Sequence, residues 1–308
     1  MNIVVTGSTG FLGKFLIKKL ELSGHKITAL SSKNCDLKTT RILDQINQKF
    51  DLVIHLAAWT QAGDFCLNHP GEQWIKNQQI NTNILDWWLR DQPQAKFVSI
   101  GTSCSYDPNL PLVEENYLIG QPIDSLYTYA MTKRMLQIGV ESLHKQFGLE
   151  YLTVVPSTLY GPMYHTDGRQ MHFIFDLIRK IICGKFYDDK VELWGNGYQE
   201  REVIYIDDFI DDFQSLLTGG VTGIVNIGSG NSIKIRDFAN IISKILDYDP
   251  DNIIYDPNKY VGAKSKLLEI SKLKGLLGSS FYRTDLDAGI QNTIDWFLEN
   301  TNTYSKKS

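Results

Sequence analysis

Tyr129 and Lys133 fall four residues apart in Ser125–Phe147, a stretch with the apolar spacing of a helix. At that spacing a phenol and an ammonium share one helix face, with Cβ atoms about 5–6 Å apart. An ammonium beside a phenol favours the phenolate. The spacing therefore predicts a Tyr129 pKa below its usual value of about 10, and a general acid or base usable near neutrality. The same Tyr-x-x-x-Lys pattern recurs at Tyr255/Lys259 and Tyr260/Lys264, where Pro257 and Gly262 break any helix.

A second constellation opens the chain. Gly7-Ser8-Thr9-Gly10-Phe11-Leu12-Gly13 follows a short β-branched run and precedes an amphipathic one. Glycines at this spacing permit a tight turn, let backbone N–H groups approach a pyrophosphate, and let helix and strand pack closely. The helix N-terminus adds partial positive charge. Gly7, Thr9, Gly10, Phe11, Leu12 and Gly13 are the expected cradle of a dinucleotide. The next β-run ends at Leu30-Ser31-Ser32-Lys33. A carboxylate there would grip the 2′-hydroxyl of NAD. Ser31, Ser32 and Lys33 suit a 2′-phosphate instead, so NADPH/NADP+ is expected ahead of NAD(H).

A third stretch, Gly101-Thr102-Ser103-Cys104-Ser105-Tyr106, follows the fourth β-run. Ligands of open parallel sheets bind beyond the carboxyl ends of the strands. Thr102 is thus expected to hydrogen-bond a substrate oxygen near Tyr129.

These groups need a scaffold. Strands are predicted at Asn2–Thr6, Lys26–Leu30, Asp51–Leu56, Lys96–Ile100 and Tyr151–Val155, and helices at Phe11–Leu22, Thr39–Gln48, Pro70–Arg90 and Ser125–Phe147. Strands alternating with helices give a parallel sheet with right-handed crossovers. The runs are nearly all apolar, as a sheet covered on both faces requires. Beyond Val155, helices near Arg169–Cys183, Asp207–Leu217, Lys234–Leu246 and Thr284–Glu299 alternate with short strands such as Val191–Trp194 and Ile224–Ile227. The expected fold is α/β: a doubly wound parallel Rossmann sheet with a smaller C-terminal α/β substrate-binding domain. The first domain is drawn over 1–165 with returning segments at about 203–230, the second over 166–308. The polar end Tyr304–Ser308 is expected to fray.

With 308 residues, 43% apolar and 21% charged, the chain is long enough for one large or two closely packed domains, and disorder over most of it is excluded. A net charge of −4 offers no global field for nucleic acid or an anionic membrane. Cys35, Cys66, Cys104 and Cys183 form no C-x-x-C pair, so neither a zinc module nor a disulfide framework is expected, and free thiols in a reducing cytoplasm are. The start reads as neither signal peptide nor membrane span.

Taken together, Gly7/Gly10/Gly13, His55-Leu56-Ala57-Ala58, Thr102, Tyr129/Lys133, Pro156-Ser157-Thr158-Leu159-Tyr160-Gly161-Pro162 and Trp194 to Glu202 resemble the extended short-chain dehydrogenase/reductase superfamily over nearly the whole chain. Within it they are most similar to the GDP-L-fucose synthase (GDP-4-keto-6-deoxymannose epimerase/reductase) group. That resemblance implies NADPH-dependent reduction at C4 of a 4-keto sugar nucleotide, with Tyr129 giving the proton, Lys133 holding the nicotinamide ribose and Thr102 orienting the carbonyl. It implies cofactor contacts at Asp36, Leu37, Leu56, Ala57, Ala58 and Pro156. It implies substrate contacts at Ser103, Thr158, Trp194, Arg201 and Lys266, with Arg201 and Lys266 on the diphosphate. Cys104 and His172 match a base and an acid for C3/C5 epimerisation, and a homodimer is implied by analogy. The alternative on the same scaffold is a C4 epimerase or C4 dehydrogenase with tightly held NAD(H). Thr158, Trp59-Thr60-Gln61-Ala62 and Ser265 depart from the group's pattern, so the sugar itself stays open.

Overall fold

The first strand shows why the chain folds as it does. Ile3, Val4 and Val5 are fully buried, with alternate side chains entering different cores on the two faces of the sheet. In this computed structural model, residues 1–62, 65–166, 169–259, 262–278 and 281–300 are described; Tyr260 and the tail Tyr304–Ser308 lie outside them. The elements run β1 (Asn2–Thr6), α1 (Phe11–Leu22), β2 (Lys26–Leu30), β3 (Leu52–His55), α2 (Phe65–Asn68), α3 (Pro70–Asp91), β4 (Lys96–Ile100), α4 (Tyr127–Phe147), β5 (Tyr151–Pro156) and β6 (Thr158–Tyr160). There follow α5 (Phe173–Tyr187), β7 (Glu192–Trp194), β8 (Glu200–Arg201), β9 (Val203–Tyr205), α6 (Ile206–Thr218), β10 (Gly223–Ile227), β11 (Ile233–Lys234), α7 (Ile235–Leu246), β12 (Ile254–Asp256), α8 (Ser271–Leu277) and α9 (Leu286–Asn300).

The central sheet has six strands in the order β2-β1-β3-β4-β5-β10. Every neighbouring pair is parallel, with Ile3 between Ile27 and Leu52, and Val154 between Ile100 and Val225. One face is covered by α1 and α6, whose Leu16, Leu20, Phe209 and Phe213 join the strand side chains. The other is covered by α3 and α4 through Ile84, Trp87, Trp88, Leu136 and Val140. A further core gathers α5, α7 and α9 around β6, β7 and β9. The chain leaves the sheet after β5 and returns through α6 to β10, which pairs with β5.

The strand order reverses between β1 and β3. That is the crevice in which open α/β sheets bind ligands. It brings the turn after β1 beside the exit of β3 and aligns the exits of β4 and β5 along one edge.

Some boundaries differ from the sequence reading. Thr39–Gln48 forms only a short 3-10 helix, Thr40–Gln45, followed by the extended Ile46; Leu43 is buried and Ile46 packs against the same core, and so short an element stays below the length at which an α-helix becomes favourable. The fifth helix starts at Phe173 rather than Arg169, with His172 extended at its N-cap, and continues to Tyr187. A 3-10 turn over Asp124–Leu126 precedes α4, which begins at Tyr127.

Candidate active site

The glycine turn is built by close approach. Gly7 has φ +68°, and a Cβ there would lie 2.8 Å from the Ala57 nitrogen. A Cβ on Gly13 would lie 2.5 Å from the Gly7 carbonyl oxygen. Gly10 caps α1 without a side-chain bond, which leaves first-turn N–H groups free for an anion. Thr9 and Gly10 are exposed, as a cradle for a pyrophosphate requires. The Phe11 ring packs edge-on against Tyr164 and Phe175, so its side chain anchors the turn to the C-terminal core; Leu12 is half-buried beside it.

Ser8 N–H donates to the Leu30 carbonyl at 3.0 Å, which seats the turn against the end of β2. There Ser31 turns inward, its hydroxyl donating to Asn34 Oδ1 at 3.2 Å, while Ser32 and Lys33 stay exposed. Asp36 accepts from the Lys38 N–H and pairs with the Lys38 ammonium; the Leu37 side chain is buried. At the exit of β3, Ala57 N–H donates to Thr6 Oγ1, and Leu56 and Ala58 are half-buried beside it. The residues present therefore fit a dinucleotide with an anion at the turn and Ser32/Lys33 at its ribose end.

At the end of β4, the Thr102 and Tyr129 side chains lie together, close enough for Thr102 to favour the phenolate. Thr102 Oγ1 also accepts from the Cys104 N–H at 3.3 Å, and the Thr102 N–H donates to the Tyr117 hydroxyl at 3.3 Å. Lys133 is buried one turn deeper, and its Nζ donates to the Ile100 carbonyl at 2.8 Å. Burial lowers the Lys133 pKa to about 8. The Tyr129 pKa moves opposite to the sequence expectation. Burial raises it well above the ordinary phenol value, the neighbouring Cys104 raises it further, and Thr102 offsets only part. Lys133 is spent on a backbone carbonyl, so its charge does not stabilise a phenolate. The competing Tyr255/Lys259 pattern forms no helical pair, since Tyr255 lies in β12 and Lys259 in a turn. Tyr260 of the other pattern lies outside the described residues.

Cys104 faces Tyr129 on one side and two cations on the other. Lys266 Nζ lies 3.0 Å from its sulfur. Burial opposes ionisation of Cys104, but the Lys266 charge, the Lys266 and Thr102 hydrogen bonds and Arg201 outweigh it, and the thiol pKa lies below its ordinary value. Arg201, on β8, donates to the Ala263 carbonyl at 2.8 Å, which ties it to the segment carrying Lys266. His172 is solvent-accessible at the N-cap of α5. The protein around it, then His165 and Lys266, lower its pKa to about 4. Lys266 is thus a neighbour of both Cys104 and His172. Ser103 is half-buried beside them. Pro156 ends β5 next to Ile227, Thr158 begins β6 against Val203, and Trp194 stands exposed at the end of β7 under Lys259.

Three supports carried no signal of their role in the sequence. Tyr117 reaches the Thr102 backbone from a loop. Arg134 is buried on α4 and donates to the carbonyls of Ser105, Ile119 and Gly120 at 2.9, 2.8 and 2.8 Å. Glu202 follows Arg201 into the interior and accepts from the Gly230 N–H at 2.8 Å and the Leu268 N–H at 2.9 Å. An isolated acid or base in a sequence gives no hint that its partners are backbone groups more than ten residues away.

Burial pushes the Glu202 pKa up to about 7, against the pull of its backbone bonds. A carboxyl whose folded pKa is raised is most favourable while protonated. Its contribution is fully present below the unfolded value near 4.5 and is lost as pH rises towards 7. Wild type is therefore expected to lose on the order of 3 kcal/mol across that window relative to Glu202→Gln. Urea unfolding of both proteins at pH 4.5 and 7.5 checks it, and parallel pH dependences would refute it.

The chain matches the NAD dependent epimerase/dehydratase family over residues 3–228. It is 28% identical to the GDP-L-colitose synthase of Yersinia pseudotuberculosis, over 98% of this chain and 99% of that protein. It is 26% identical to the GDP-L-fucose synthase of Escherichia coli K12, over 98% of each. Its fold superposes on the crystal structure of a GDP-L-fucose synthetase from Naegleria fowleri with a TM-score of 0.84, at 25% identity over 97% of this chain and 94% of that one. The same synthetase bound to NADP gives 0.83 at 24% identity, over the same shares. With a glycine turn at the sheet's switch point, a Tyr–Lys helix beside it and a family match over most of its length, the chain belongs to the NAD dependent epimerase/dehydratase family.

Proposed function

We propose that this protein reduces the C4 ketone of a GDP-linked 4-keto deoxysugar with NADPH, and that it epimerises a carbon next to that ketone first. The observation that carries the reading is the meeting of Tyr129, Thr102 and a cation-held Cys104 at one strand exit, beside the glycine turn. The names of the relatives, a GDP-L-colitose synthase and a GDP-L-fucose synthase, support the GDP-linked sugar.

Bound NADPH supplies the hydride. Thr102 and Tyr129 hold the ketone oxygen. Tyr129 is a protonated phenol through neutral pH, so it enters as an acid and gives its proton to that oxygen. Lys133, bonded to the Ile100 carbonyl in the free protein, supplies positive charge under the site and takes the nicotinamide ribose when cofactor binds. The carbons flanking a ketone are acidic, and Cys104 is the base aimed at them, with His172 the partner on the opposite side. Arg201 and Trp194 serve the diphosphate and the nucleotide end. Residues 1–165 with 203–230 form the nucleotide-cofactor part, and most of 166–308 the sugar-nucleotide part. Ser32 and Lys33 at the end of β2, with no carboxylate among Ser31–Asn34, support the 2′-phosphate of NADP(H) over NAD(H).

The partner proposed beyond substrate is a second copy. Adjacent α3 and α4 expose Trp74, Ile75, Met135 and Ile138, an apolar surface suited to a helix-to-helix homodimer. No described helix is long and apolar enough to cross a membrane, and the four cysteines are free, which suits a reducing cytoplasm.

The test is absorbance at 340 nm with GDP-4-keto-6-deoxymannose and NADPH, beside the UDP-, CDP- and dTDP-linked 4-keto sugars. Consumption of NADPH with the GDP sugar, at a kcat/KM at least tenfold above the others, is expected. Turnover confined to another nucleotide overturns the GDP assignment, and none with any of them overturns the reductase.

A further inference from the structure

The diphosphate is the role that the family resemblance gives Lys266. In the structure its ammonium rests on a sulfur. Lys266 is half-buried, its Nζ sits 3.0 Å from Cys104 Sγ, and no carboxylate among the described residues pairs with it. The segment bearing it is fixed at both ends. Upstream, the Ala263 carbonyl accepts from Arg201; downstream, the Leu268 N–H donates to buried Glu202. The two anchors are adjacent residues, so the lysine is set by the same stretch of chain that sets Arg201.

The four cysteines supply an internal comparison. Cys35, Cys66 and Cys183 are buried, and burial raises the pKa of each. Cys104 alone among them moves down, and Lys266 is the largest influence in that direction. The other ionisable groups facing Cys104 are Arg201 on β8, Tyr129 on α4, Tyr117 on its loop and Cys66 on α2. Of these only Arg201 carries positive charge, and its guanidinium is engaged with the Glu200 and Ala263 carbonyls.

We propose that Lys266 is a catalytic residue of this site, acting on the sulfur of Cys104: it holds the thiolate that takes the proton from the carbon beside the sugar ketone. The step rests on the base role of Cys104 in the proposed function. The C–H bond breaks, an S–H bond forms on Cys104, and the C–H electron pair moves into the enolate, whose oxygen faces Thr102 and Tyr129. Return of a proton to the opposite face of the carbon completes inversion. The thiolate charge adds to burial in keeping Tyr129 protonated. Lys266 thereby favours a base at 104 beside an acid that burial keeps at 129, two roles that a reductase with a preceding epimerisation needs side by side.

The test reads the sulfur directly and needs no sugar. Substrate-free wild type, Lys266→Met and Lys266→Arg are alkylated with iodoacetamide from pH 5 to 10. Labelling of the Cys104 peptide is followed by mass spectrometry, with thermal melts confirming that each variant is folded. In wild type, Cys104 is expected to react at pH 7 at least about tenfold faster than in Lys266→Met, whose alkylation midpoint lies about one pH unit higher. Lys266→Arg restores most of the difference. A Cys104 profile unchanged by Lys266→Met overturns the proposal.

A second arm incubates the proteins with GDP-4-keto-6-deoxymannose in D2O without reductant. Deuterium entry at C3 or C5 is expected in wild type and is reduced at least tenfold in Lys266→Met. If wild type takes up no deuterium while the alkylation profiles still differ, the Lys266–thiolate pair stands and the epimerisation reading falls.

Discussion

Replacing Tyr129 by phenylalanine is expected to lower kcat by about 10³, within the 10²–10⁴ range of a single general acid, while the Kd for NADPH changes less than about threefold. The hydroxyl has few duties. It lies beside Thr102, and no hydrogen bond among the described residues ties it to the fold. Thr102 keeps its bonds to the Cys104 N–H and the Tyr117 hydroxyl without it. The ring stays, so α4 and the core beneath it keep their packing. What disappears is the proton that the ketone oxygen must receive as negative charge builds on it. A loss of that size in kcat with equal loss in kcat/KM marks an interaction made only in the transition state. Single-turnover absorbance at 340 nm and a fluorescence titration of NADPH separate the two effects, and turnover within tenfold of wild type would refute the assignment. The pH profile adds a check. Tyr129 stays protonated through neutrality, so it imposes no neutral limb. Lys133 loses its charge near pH 8 in the free protein, and kcat/KM is expected to fall on the alkaline side of that value.

The legible parts of this molecule are those in which chemistry and period coincide. Gly7 and Gly13 could be read because a tight left-handed turn and a close helix contact each exclude a side chain, and Gly10 because a Cβ there would crowd the Gly7 carbonyl at 3.2 Å. The parallel sheet could be read because both its faces are covered, so β1, β3 and β5 are apolar without alternation. Thr102 and Tyr129 could be brought together because strand exits share one edge. The illegible parts depend on long-range geometry. The spacing of Tyr129 and Lys133 implied mutual influence, yet α4 aims the lysine at the Ile100 carbonyl, and burial governs the phenol. The contact between Lys266 and Cys104 spans 162 positions of sequence. Thr39–Gln48 had helical spacing, but tertiary packing did not reward more than a turn.

Arg134 is a helix cation that the structure buries. It lies one position beyond Lys133, on the side of α4 that faces the loop after β4. Its guanidinium is buried and spreads over the Ser105, Ile119 and Gly120 carbonyls. Burial costs the cation solvation and lowers its pKa, with Tyr117 and Asp107 opposing that shift. Of these carbonyls that of Ser105 is buried, whereas those of Ile119 and Gly120 belong to exposed residues of the loop. Arg134→Met keeps most of the stem volume but removes every donor at once. Hydrogen bonds to a charged donor contribute more than neutral ones, and buried acceptors left without partners are costly. A loss of about 3 kcal/mol is expected, or roughly 6 °C in Tm for a chain of this size. The functional effect should exceed what stability alone gives. Ser105 adjoins Cys104, and Ser105 also donates to the Ala130 carbonyl next to Tyr129. Loosening that joint shifts Thr102 and Cys104 relative to Tyr129, and a displacement near 1 Å costs about a hundredfold in rate. The glycine turn lies on other elements, so the NADPH Kd should stay within about threefold. Thermal unfolding, kcat and NADPH titration on one preparation decide the matter: a Tm within about 1–2 °C of wild type would show that the carbonyls find other donors and that Arg134 does not hold this joint.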